Sequence, residues 1–138
     1  MKRIILFLSP AGLLCAVPLK SNLMAVAVLF LALAAVGWDG YAVHVERAIA
    51  LIGLLQQRLA RFGWTTANDP SLAVLCVQPP AGSPTARTIV ERVVASGRAW
   101  IAPARFEGRD VVRICATHGE SSEADLDELV AALEAARH

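Results

Sequence analysis

SGRAWIAPARFEGRDVVRICATHGESSEADLDELVAAL, residues 96–133, decides how the chain is read. Its first half places an apolar run on either side of Glu107-Gly108, so it reads as a hairpin with strands at 100–104 and 110–116. The second half opens on Ser121-Ser122, a capping hydroxyl, followed by Glu123 and Asp125 in the first turn, where the helix dipole favours acids. Leu126, Leu129, Val130 and Leu133 then recur at three- and four-residue steps and give that helix one buried stripe.

Working outward, TARTIVERVVASG predicts a second amphipathic helix, with Ile89, Val90, Val93 and Val94 inward and Gly97 at its end. Pro79, Pro80, Gly82 and Pro84 make a loop before it, and residues 72–77 form a short buried strand after the Asn68-Asp69-Pro70 turn. DGYAVHVERAIALIGLLQQRLARFGW is one long helix: Val45, Ile49, Ile52, Leu55 and Leu59 share a face, Asp39 is a candidate N-cap and Gly63 a closing residue. The order helix, strand, helix, hairpin, helix predicts an α+β fold. Its small antiparallel sheet of about three strands is covered by helices, and a long helix and an apolar N-terminal segment precede it.

Two regions result: residues 1–37, apolar, and residues 38–138, an ordinary globular domain. Between Arg3 and Asp39 the only charge is Lys20. A basic start and apolar stretches suit an export signal or a membrane segment over residues 4–36. Against that, Pro10 and Pro18 break the first stretch, and the run 23–36 is shorter than the roughly 20 residues that span a bilayer. Such a run also suits a buried core helix, capped by Asn22 and closed by Gly37. Both readings stand on the sequence. A net charge of +1 gives no reason to expect nucleic acid as a partner. Cys15, Cys76 and Cys115 are widely spaced, without a C-x-x-C pair, and Cys76 and Cys115 read as buried free thiols.

The order of elements resembles the small C-terminal domain of pyridoxal-phosphate (PLP)-dependent group II amino-acid decarboxylases, which have the aspartate-aminotransferase fold. GWDGYAVHVERAIALIGLLQQRLARFGW resembles the long helix leading into that domain, and ANDPSLAVLCVQ its first strand. Residues 96–133 are similar to its closing strands and helix, where a strand with a central arginine and a cysteine precedes a Thr/Ser-x-x-Asp helix. The resemblance covers about a hundred residues; residues 23–36 align with the helix just upstream, and residues 1–19 resemble nothing in the family. It implies a carboxy-lyase of amino-acid metabolism, with PLP as the cofactor and Arg113 as the residue binding a substrate carboxylate in a complete enzyme.

The departures carry equal weight. The family holds PLP on a lysine directly after a histidine, whereas this sequence has only Lys2 and Lys20, neither after a histidine. The aspartate that pairs with the pyridine nitrogen and the histidine that stacks on the ring belong to the family's upstream domain. No catalytic, cofactor-binding or metal-binding residue is therefore assigned, and no PLP is expected to bind the chain alone. The expected partner is a large PLP-binding domain on another chain, or a second copy. The expected location is cytoplasmic, with membrane association as the alternative.

Each remaining residue has an ordinary explanation beside the chemical one. Arg113 on its own reads as the solvent side of a half-buried strand. His118 reads as a surface loop histidine, His44 as part of the polar face of the long helix, and neither has metal-ligand spacing. Trp64 and Trp100 read as core or rim aromatics. Arg105, Glu107 and Arg109 suit a solvated turn. The competing function is a non-enzymatic, membrane-tethered or exported small α/β protein, and a third reading is an inactive remnant.

Overall fold

In the computed structural model the described residues are 19–138, with side chains from Met24 onward. The sequence readings for residues 1–18, including the Pro10 and Pro18 breaks and the Cys15 thiol, lie outside them. The elements run α1 (Leu19–Arg61), β1 (Thr65–Thr66), β2 (Val74–Gln78), α2 (Ala86–Ala95), β3 (Ala102–Phe106), β4 (Arg109–Cys115) and α3 (Glu123–Arg137). Contacts divide the chain between Tyr41 and Ala42.

Before that division, α1 breaks at Gly37, whose φ of 74° and ψ of 167° leave the helical region. A side chain there would be strained, so glycine fits the closing role read from the sequence. Two expectations need correcting. The helix starts at Leu19, upstream of Asn22, so Asn22 does not cap it, and Asp39 lies inside the helix past the break. The side chains of residues 24–36 are exposed.

From Ala42 onward, α1 enters the core with the face read from its periodicity. Ile52, Leu55 and Leu59 are fully buried, while Val45 and Ile49 are half-buried. Each complete burial is worth about 1.5–3 kcal/mol. Gly63, at φ 82°, ends the helix: its amide donates to Ala60 O at 3.0 Å, and Trp64 N–H donates to Leu59 O at 3.2 Å. This is a Schellman closure, which uses up carbonyls that the helix end would leave unpaired.

The sheet is antiparallel throughout, in the order β1-β2-β4-β3. Its fourth strand, β1, was not expected: two threonines are too short to show alternation. The two-residue loop Glu107-Gly108 has positive φ at both positions (47° and 77°), the geometry that twists a hairpin correctly. That turn sets Phe106 opposite Arg109, so β3 runs to the turn and starts at Ala102, two residues later than expected. β2 is likewise displaced. The amide of Cys76 donates to Asn68 Oδ1 and the Asn68 amide donates to Val74 O, while Leu72 stands in a bend before the strand.

Leu75, Val77, Val112 and Ile114 face one way and share a core with α1, α2 and α3. Thr85 caps α2 by accepting from the Thr88 amide, and Arg92 of that helix donates to Ala136 O at the end of α3. α3 is fastened to α1 by polar bonds. Arg58 donates to Glu123 and Asp127, Arg47 donates to Ser121 O, and Arg137 donates to Phe62 O. Trp64 is core, and its indole nitrogen donates to Glu134 Oε1 at 2.8 Å.

Candidate functional site: the sheet face of Arg113

Side chains alternate along a strand, so the residues between the core positions of β4 point away from the helices. These are Val111, Arg113 and Cys115. Antiparallel pairing sets Arg113 between Cys76 of β2 and Ala102 of β3, and sets Cys115 opposite Val74. Arg113 is exposed and makes no hydrogen bond or ion pair with another described residue. Cys76 is buried beside it, and Cys115 is exposed, which corrects the reading of two buried thiols. Burial pushes the Cys76 thiol above its ordinary pKa, the Arg113 charge pulls it partly back, and Cys115 adds to the rise.

β2 and β3 both begin at the end of the sheet where β4 finishes. Leu72 and Trp100 lead into them, and each is 70% exposed. Trp100 is therefore a surface aromatic at the same end of the sheet as Cys115. No sequence signal marked this, because a tryptophan beside Ile101 looks the same in a core strand.

The other candidates are accounted for by local structure. His118 lies in the loop after β4, where its Nδ1 accepts from the Glu120 amide. His44 sits on the exposed side of α1, its ring lying so close to Gly119 that a Cβ there would collide with it. Arg109 pairs with Glu107 at 3.0 Å, and Arg105 donates to Gly108 O, so the hairpin charges serve the turn. Among the described residues no group of three His, Cys, Asp or Glu side chains is placed to hold a metal.

A small antiparallel sheet with helices on one face, entered from a long helix, is the fold of the C-terminal part of PLP-dependent group II decarboxylases. Mouse CSAD is 23% identical, with a TM-score of 0.69 over 80% of this chain and 27% of that one. Oryza sativa TDC, in a structure with PLP and tryptamine, is 16% identical, with a TM-score of 0.68 over 79% of this chain and 25% of that one. Catharanthus roseus tryptophan decarboxylase, in complex with L-tryptophan, is 12% identical, with a TM-score of 0.68 over 78% of this chain and 25% of that one. At such identities the likeness is one of fold, and this chain spans about a quarter of the length of these relatives. No family model and no curated protein matches the sequence.

PLP is the cofactor of these similar enzymes. Attachment needs a lysine amine, and among the described residues the only lysine is Lys20, in the first turn of α1. Beside Arg113 the strand partners are a thiol and an alanine, with no acid to pair with a pyridine nitrogen. What this face offers is one unpaired guanidinium, a site for an anion or a carboxylate.

Proposed function

We propose that this chain is the small C-terminal domain of a PLP-dependent amino-acid decarboxylase, inactive alone and completed by a large cofactor-binding domain. Arg113 supports the reading most directly: it is the unpaired cation in mid-strand on the face turned away from the helices. In the complete enzyme its role is to hold the carboxylate of an amino-acid substrate by two parallel hydrogen bonds, which fixes orientation as well as affinity. The cofactor, its lysine and the proton transfers belong to the partner domain. The test is carbon dioxide release from a panel of amino acids by the full chain, alone and mixed with a PLP-binding partner. Activity is expected only in the mixture. There, Arg113→Ala should lose about 1.5–3 kcal/mol of substrate binding, roughly ten- to a hundredfold in kcat/KM. Release by the chain alone, or a mixture indifferent to Arg113, would contradict the reading.

A further inference from the structure

We propose that Cys76 and Cys115 form a two-thiolate site for a single copper(I) ion on the sheet face of β2 and β4, with the Arg113 guanidinium as counter-charge. All three residues belong to this chain, and the site goes beyond the carboxylate-binding role of Arg113.

The strand register brings the two thiols together. Cys76 lies opposite Arg113 and Val74 opposite Cys115, so the cysteines are diagonal neighbours on one side of the sheet. The Cys76 carbonyl accepts from the Ala67 amide at 2.8 Å, and the Cys76 amide donates to Asn68 Oδ1 at 2.7 Å. Both backbone groups of Cys76 therefore turn away from β4. That makes Cys76–Arg113 a non-hydrogen-bonded pair, the kind whose side chains approach more closely. Val74 likewise spends its carbonyl on the Asn68 amide and its own amide on Leu72 O, so Val74–Cys115 is of the same kind. The two thiols feel each other, since Cys115 opposes the ionisation of Cys76.

Distance decides between a direct sulfur–sulfur bond and a bridge. Diagonal cross-strand residues stand roughly 7–8 Å apart, whereas a disulfide needs Cα atoms within about 6.8 Å. A metal between the sulfurs adds two bonds of about 2.3 Å each, the length of a zinc–thiolate bond, and spans the wider gap.

Ligand count and charge select the ion. Among the described residues no group of three His, Cys, Asp or Glu side chains is placed to hold a metal, so zinc, which takes four ligands, is not served. Soft thiolates select copper(I), which accepts two sulfurs in a line. Binding exchanges the S–H protons for the ion and leaves a complex with a single negative charge. The Arg113 guanidinium, directly opposite Cys76, neutralises it. A divalent ion between the same two thiolates would leave that guanidinium uncompensated. Cys115 is exposed and Cys76 buried, so the ion enters at Cys115 and is sheltered from water at Cys76.

The experiment titrates the reduced full chain, without oxygen, with copper(I) held as its bicinchoninate complex, whose loss of colour reports transfer. Uptake of one equivalent per chain is expected, with two sulfur neighbours in the X-ray absorption spectrum. Cys115→Ser and Cys76→Ala should each weaken binding about a hundredfold or more, while Cys15→Ser leaves it unchanged. Cys115 is exposed, so its replacement should keep the circular dichroism of the parent and decides the matter even where Cys76→Ala unfolds. Arg113→Ala should weaken binding about tenfold, and Arg113→Lys should restore it. Uptake that survives Cys115→Ser, or that is lost with Cys15→Ser, would overturn the site. So would a third protein ligand in the absorption spectrum, or stoichiometric zinc uptake by the same chain. Rapid formation of a Cys76–Cys115 disulfide in diamide, mapped by mass, would put the sulfurs at bonding distance and replace the metal site by a redox pair.

Discussion

Cys76 and Arg113 are direct cross-strand partners, the thiol buried and the guanidinium beside it exposed. Because burial raises the Cys76 pKa more than Arg113 lowers it, the thiolate is scarce at neutral pH. Iodoacetamide with mass mapping should label the exposed Cys115 well before Cys76. Replacing Arg113 with alanine removes the one lowering influence and should slow Cys76 further. Labelling of Cys76 as fast as Cys115 would mean that the sheet face is not arranged in this way.

The start of α3 should make the fold acid-sensitive. Ser122 donates from both its amide and its hydroxyl to Asp125 Oδ2, and these bonds lower the Asp125 pKa, with a smaller contribution from His118. A carboxylate with a lowered folded pKa stabilises the fold above its ordinary value, near about 4, and that support is lost as pH falls through the lower folded value. Ser122→Ala should cost about 1 kcal/mol at neutral pH and progressively less as Asp125 is protonated in acid. Melting curves of both proteins across that range check this, and a difference that grows in acid would count against it.

Core and apolar run should respond unequally to side-chain truncation. Leu55 is completely buried, so Leu55→Ala should cost about 2–5 kcal/mol. Val26 is exposed, and Val26→Ala should change the stability of the chain alone by less than about 0.5 kcal/mol. Urea unfolding of the two variants measures both. A large loss at Val26 would place residues 24–36 in the chain's own core.

Trp64→Phe removes the bond from the buried indole to Glu134 and should cost about 1–3 kcal/mol. Glu134 keeps its pairing with Arg137, so the effect should stay at the α1–α3 seam. A neutral substitution, read by thermal unfolding, would show that the bond contributes little.

The repetitive parts of this fold were the readable ones. Ile52, Leu55 and Leu59, or Leu126, Val130 and Leu133, announce a buried helical face by spacing alone, and Glu107-Gly108 announces its turn by residue type. Strand ends were displaced by one or two residues because they depend on long-range bonds. The Asn68 side chain at the edge of β2 and the register Phe106 opposite Arg109 are two of these. The candidate site was legible only in part. Resemblance pointed to Arg113, and alternation gave it a face, but the exposure of Trp100 and Cys115 depends on how the sheet is covered.

The most direct measurement is cofactor trapping on the full chain alone. PLP is added, the mixture is reduced with borohydride, and the adducts are mapped by mass. Scattered substoichiometric labelling is the expected result, because the chain's two lysines, Lys2 and Lys20, lack the histidine that precedes the cofactor lysine in the resembling family. A stoichiometric adduct confined to Lys20 would show that this chain holds the cofactor itself, and would contradict its assignment as the domain that a cofactor-binding partner completes.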